Sequence, residues 1–184
     1  MDSKRTWLRS PPAVALLTAA FVISLLLGTA FVAINHSSAA AGRAIGKPLT
    51  DDQAAAQVVN SAKEIVTVAR LEQATGGYAF VSCNNETEPP YQAALYMNFR
   101  LPHSNWVQYL RDVASAMASH GWTDSPAMGE HFGHKLTKDG VTSIFHRNVN
   151  DAQFATMRIY GECRNIADHR NDNPAWAEIT DQLG

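Results

Sequence analysis

From Ala13 to Ile34 the chain runs for 22 residues without a charged side chain. As a helix rising about 1.5 Å per residue, this run is about 33 Å long and matches a hydrocarbon core of about 30 Å. It carries no polar stripe, whereas a helix packed on a small core is striped. A secretory signal has an apolar region of about 7–15 residues, so the length favours a retained transmembrane signal anchor over residues 13–34. Cleavage stays open as the alternative: Ser38-Ala39-Ala40-Ala41 supplies the small residues a signal peptidase accepts, and a cut near Ala41 releases a secreted chain. Lys4, Arg5 and Arg9 precede the run and the next basic residue is Arg43. The positive-inside rule therefore leaves residues 1–12 in the cytoplasm and everything from Asn35 outside. Neither cysteine lies near the run, which excludes a lipid-modified cysteine as the anchor.

The outward part, 150 residues long, holds 12 Lys and Arg against 16 Asp and Glu and has no basic run. Nucleic acid is thereby excluded as a partner, because phosphate neutralisation needs clustered cations. The expected partners are the lipid bilayer, through residues 13–34, and an envelope protein, wall component or lipid. Two cysteines in an oxidising compartment read as one disulfide, Cys83 with Cys163, with two buried free thiols as the alternative.

Residues 35–49 lack periodicity and read as a flexible tether, 50–163 as one extracytoplasmic domain, and 164–184 as a polar tail. Thr50 and Gln53 form a capping-box pattern before a helical stripe of Ala55, Val58, Ala62, Ile65 and Ala69. Gly76-Gly77 is expected to end that helix. YAFVSC (78–83) and YQAALYMNFR (91–100) alternate as strands, and a second helix on Trp106, Leu110, Val113 and Met117 is capped by Ser104 or Asn105. Gly121-Trp122 suits a Schellman ending. HKLTK-DG-VTSIFH reads as a hairpin with a primed turn, and QFATMRIYGEC as the last strand. Cys163 falls in phase with Ala155, Met157 and Ile159, and Cys83 with Ala79 and Val81; both end their strands, so the bridge ties two strands at the same end of one sheet. Pro174 opens a short terminal helix with Trp176, Ile179 and Leu183 on one side. The order αββαβββ gives an α+β domain with a mainly antiparallel sheet and two main helices on one face.

GYAFVSCN, PPYQ, SHGW, the KDGV turn and GECRN before DHR resemble a group of actinobacterial, mycobacterial-type membrane-anchored exported proteins. The resemblance covers most of residues 76–170 and implies an envelope location. It supplies no reaction and no active-site residues.

Residues with chemistry are few. Glu130, His131 and His134 with His146 are the candidate metal ligands, but the order E-H-x-x-H with Gly133 inside suits a loop, so no metal or other cofactor is expected. No G-x-S-x-G elbow occurs, Glu86 and Glu88 sit in a polar turn, and Gly76-Gly77 precedes a strand where a phosphate loop opens a helix. Alternation instead places Tyr96, Arg100, Phe154, Arg158 and Tyr160 on the sheet face away from the helices. Exposed aromatic and Arg side chains mark partner sites. The leading reading is a non-catalytic envelope binding or interaction module using Tyr96, Arg100, Arg158 and Tyr160. A small-ligand or lipid carrier and a His-dependent hydrolase are the alternatives.

Overall fold

The computed structural model describes residues 46–84, 87–126 and 133–184, all within a compact unit spanning Arg43–Gly184. The expected span 13–34, most of the tether, Glu86, Glu130 and His131 lie outside the described residues. Among those described, no helix is long and apolar enough to cross a membrane.

Helix α1 (Asp51–Ala69) starts as its sequence dictates: the Gln53 amide donates to Thr50 Oγ1 at 3.2 Å, and the Thr50 amide to Gln53 Oε1 at 3.1 Å. Its buried stripe is Ala54, Val58, Ala62, Ile65 and Val66. The helix ends at Arg70, which takes the left-handed conformation with φ 51°, and not at Gly76-Gly77. Helix α2 (Trp106–Ala118) follows Asn105, which sits at the cap position with φ 58° and makes no side-chain cap bond. At its far end the amides of Trp122 and Gly121 reach the carbonyls of Met117 and Ala118, and Gly121 has φ +90°. That is the Schellman geometry, and it folds Trp122 into the core.

Seven strands form one antiparallel sheet: β1 (Thr75–Ser82), β2 (Tyr91–Arg100), β3 (Thr123–Pro126), β4 (Gly133–Lys138), β5 (Val141–Arg147), β6 (Phe154–Tyr160) and β7 (Ala177–Glu178), in the order β3-β4-β5-β6-β2-β1-β7. β4 and β5 meet at Asp139-Gly140, both with positive φ, as a primed turn requires. β3 and β7, absent from the expected αββαβββ order, are short edge strands with no alternation of their own. The helices cover one face, where Leu95, Met97 and Phe99 of β2, Met157 and Ile159 of β6, and Phe145 of β5 are fully buried.

Cys83 and Cys163 are joined, with Cα atoms 6.0 Å apart and 80 positions of separation. In the chain-entropy model, closing so long a loop stabilises the fold by about 4 kcal/mol. β1 and β6 run parallel on either side of β2, so the bridge ties them at one end of the sheet across the start of β2. The two cysteines do not share a strand phase, contrary to the sequence's expectation. Ala79 and Val81 oppose Ala94 and Gln92 on the uncovered face, while Tyr78 and Phe80 pack against the core. Both cysteines lie beyond the last paired residue of their strands, where strand phase no longer fixes direction.

The tail is part of the sheet and not a terminal helix. Asn165, fully buried, exchanges backbone hydrogen bonds with Tyr91 at 2.7 and 3.1 Å, and the Leu49 amide donates to the Arg164 carbonyl. β7 then pairs with β1, Gly77 opposite Glu178, and the Ile179 amide donates to the Gly76 carbonyl at 2.9 Å. Only the 3-10 turn Thr180–Gln182 is helical. Ile179 and Leu183 are buried and Trp176 is not: the extended strand splits a set of residues that helical spacing groups on one side.

Candidate functional site

Cross-strand register assembles the uncovered face in rows. One row runs Lys135, Ile144, Arg158, Tyr96, Gly77, Glu178 across β4, β5, β6, β2, β1 and β7. On either side lie His146, Thr156, Asn98, Thr75 and Thr142, Tyr160, Ala94, Ala79. Tyr96 and Arg158 are directly paired, and the guanidinium carbon of Arg158 sits 5.4 Å from the Tyr96 ring centroid. Tyr160 stands next in line. Its hydroxyl is held above its ordinary pKa, first by burial and then by Tyr96, with Arg158 pulling the other way.

Trp176 completes this row. Its ring centroid is 6.2 Å from that of Tyr96, with the planes inclined at 48°. Gly77 lies beneath it: a Cβ there would come 2.4 Å from the Ala177 carbonyl oxygen and 2.6 Å from the indole ring. Gly77 therefore serves close approach of the tail and Gly76 that of β2, and neither has a positive φ. Trp176 Nε1 donates to Glu178 Oε2 at 3.3 Å, and the Thr180 hydroxyl and amide donate to Glu178 Oε1. Tyr96 and Trp176 are 38% and 41% exposed. Two flat apolar rings, an arginine and neutral polar rows thus share one open surface.

Of the four residues expected on this face, Tyr96, Arg158 and Tyr160 converge. Arg100 stands apart at the end of β2, opposite Phe154, and its guanidinium donates to Gln73 Oε1 at 3.1 Å. The histidines do not converge. His134 pairs with Phe145 on the core face, stacks on its ring at 5.4 Å and lies 3.4 Å from Asp124. His146 pairs with Gly133 on the opposite face, so the two cannot share a metal ion.

Sequence reasoning missed Trp176 as a surface residue, and it missed His169. The His169 side chain is 4% exposed, stacked on Phe80 at 3.9 Å and edge-on to Tyr91 at 5.1 Å. Its Nδ1 lies 2.8 Å from Asp172 Oδ2, and its Nε2 lies 3.2 Å from Asn165 Oδ1 and 3.5 Å from Asp51 Oδ1. Asn165 in turn donates to Asp51 at 2.6 Å. Both ring nitrogens face acceptors of the chain itself, so His169 clamps the tail to the start of α1. An open cleft of about 550 Å3 adjoins it, lined by Phe80, Ser82, Thr87, Tyr91 and Arg170. Arg170 grips Asp168 through two nitrogens at 2.8 and 2.5 Å, holding that carboxyl down at about 2, and its charge is already matched.

Three comparisons bear on kinship. A family model described as "Putative lipoprotein LppJ" matches residues 50–182. Proteins of that same printed name from Mycobacterium tuberculosis strain H37Rv and from Mycobacterium bovis are each 42% identical over 171 residues, covering 91% of this chain and 90% of theirs. No solved structure matches.

The tail carries its own titratable clasp. Hydrogen bonds from Thr180, then from Trp176, hold the Glu178 carboxyl below its ordinary value of 4.5. A carboxylate depressed in the fold stabilises it fully above the unfolded value and loses that contribution as pH falls through the folded one. Wild type is therefore expected to melt above Glu178→Gln at pH 7, with the gap narrowing as pH falls below 4.5. A gap that stays the same size on acidification would show that the clasp's charge contributes nothing.

Proposed function

The chain belongs to the LppJ family, and from that premise we propose that it is a non-catalytic binding module of the bacterial cell envelope, held at the membrane's outer side. The observation that carries this reading is the open row Arg158, Tyr96, Trp176 with Tyr160 beside it, an aromatic and cationic surface on an otherwise polar domain. A carrier is less favoured: the cleft beside His169 is open and bordered by polar groups, whereas a lipid or small apolar ligand calls for an enclosed apolar cavity. To test the binding reading, a photo-reactive side chain is placed at Tyr96 in the full chain and, as control, at exposed Gln108 on the helical side. Irradiation of intact cells is expected to give adducts from position 96 and none from 108. The reverse pattern, or equal labelling, would remove the sheet face as the working surface.

Anchoring is assigned to the uncharged run Ala13–Ile34. The relatives' name says lipoprotein, and a bacterial lipid anchor needs a free cysteine thiol. This chain has two cysteines, 80 positions apart, and both are spent in one disulfide. The alignment to the relatives leaves 9% of 184 residues, about 17, outside it, so the likeness reaches into the apolar run. Peptide mapping of chain purified from membranes is expected to return the Cys83–Cys163 cross-linked pair and the intact run. An acylated cysteine peptide would assign the anchor to lipid, and a mature N-terminus near Gly42 would make the chain secreted.

A further inference from the structure

Resting on the reading of the open face as a binding surface, we propose that its occupant is a carboxylate-bearing glycan chain, its sugar rings stacked on Trp176 and Tyr96 and its carboxylate paired with Arg158. The two rings are neighbours at 6.2 Å, a spacing comparable to one sugar along an extended chain, with their planes inclined at 48°. The C–H faces of pyranose rings are apolar and flat, so they bury against such rings while their hydroxyls point sideways. On both sides the rings are flanked by groups suited to hydroxyls: Thr156, Asn98 and Thr75 in one neighbouring row, Thr142 and Tyr160 in the other. These are neutral donors and acceptors of the kind that fix a polyhydroxylated ligand.

Charge narrows the class. Among the described strands, register puts one acid on this face, Glu178, in the same row as Arg158. That acid is already engaged by Thr180 and Trp176. Arg158 is exposed and forms no salt bridge among the described residues; it leans on Tyr96. The surface is thus complementary to an anion that also presents flat apolar faces. An anionic bilayer is attracted by clusters of about 4–8 Lys or Arg, more than this face holds. A peptide strand would add at an edge of the sheet, here β3 or β7, and not lie across its face.

The test is isothermal titration of the full chain, in a detergent without a sugar headgroup, against two probes. One is a hyaluronan hexasaccharide, with a carboxylate on every second sugar, and the other is a neutral hexamer of N-acetylglucosamine. The carboxylated probe is expected to bind at least about tenfold more tightly than the neutral one. Trp176→Ala and Tyr96→Ala should each weaken both probes by about tenfold. Arg158→Gln should remove the preference, bringing the two probes to the same affinity. Trp176→Phe, which keeps a ring, should retain most binding and so separate loss of stacking from loss of the tail. No heat with either probe at millimolar concentration, equal affinity for both, or binding untouched by Trp176→Ala would overturn the proposal. Anionic phospholipid vesicles captured while both sugars stay silent would assign the face to a lipid surface instead. Adducts to a protein from position 96 with silent sugars would remove the glycan and leave the binding face standing.

Discussion

Everything in this domain follows from burying one face of β2 and leaving the other open. Leu95, Met97 and Phe99 are fully buried under the helices, while Tyr96 and Asn98 between them are exposed. A strand's side chains alternate with period two, so a slip of one residue would put tyrosine and asparagine into the core and methionine and phenylalanine into water. β2 pairs along its length with β1 and β6, and through them this choice of face passes to every other strand. Arg158 stands beside Tyr96 because Met157 and Ile159 must lie beside Met97 and Leu95. The surface residues are fixed by the core residues that flank them.

The edge beyond β1 is closed by the tail, and this contact adds the last ring to the open face. The tail comes in along Tyr91, is held by Asn165 and by His169 between Asp51 and Asp172, and ends as β7 with Ile179 and Leu183 in the core. Its approach to β1 needs residue 77 to have no side chain, since a Cβ there would lie 2.4 Å from the Ala177 carbonyl oxygen; one on Gly76 would lie 2.3 Å from the Tyr96 carbonyl oxygen of β2. The disulfide pins the opposite end of β1 to β6. β1 is thus fastened at both ends by segments distant in sequence, and Trp176 is the side chain that this fastening turns outward.

How much of this was legible depended on how local the signal was. The capping box at Thr50, the Schellman ending at Gly121-Trp122 and the turn at Asp139-Gly140 are decided by neighbouring residues, and all three stand in the structure as the sequence indicates. The alternation in β2 and β6 likewise set out which side chains share a face. Gly76-Gly77 was misread because the same glycines that would end a helix also permit close approach, Gly76 to β2 and Gly77 to the tail far along the chain. Trp176, Ile179 and Leu183 fit a helical spacing, but Ile179 gains more from pairing its amide with Gly76 and burying its side chain at the sheet edge. His169 gave no signal, since its partners Asp51, Asn165 and Asp172 meet only after folding. His134 and His146 looked joinable in sequence, but one hairpin register sends them to opposite faces.

The open face therefore has two origins: β2 and β6, whose alternation the sequence reveals, and the docked tail, which it does not. The chain belongs to the LppJ family, and the open row of arginine and aromatic rings is what the fold leaves facing outward once its core is satisfied. The account turns on the tail being a true strand of the sheet that holds Trp176 beside Tyr96. Native-state amide hydrogen exchange at Ile179, whose N–H donates to the Gly76 carbonyl, reads this directly. The account predicts protection of Ile179 by at least about a hundredfold over the unstructured rate, as for a hydrogen-bonded amide that opens only with its part of the fold. Exchange at the unprotected rate would mean that the tail is loose, that Trp176 is not fixed on the face, and that the surface described here does not exist as a unit.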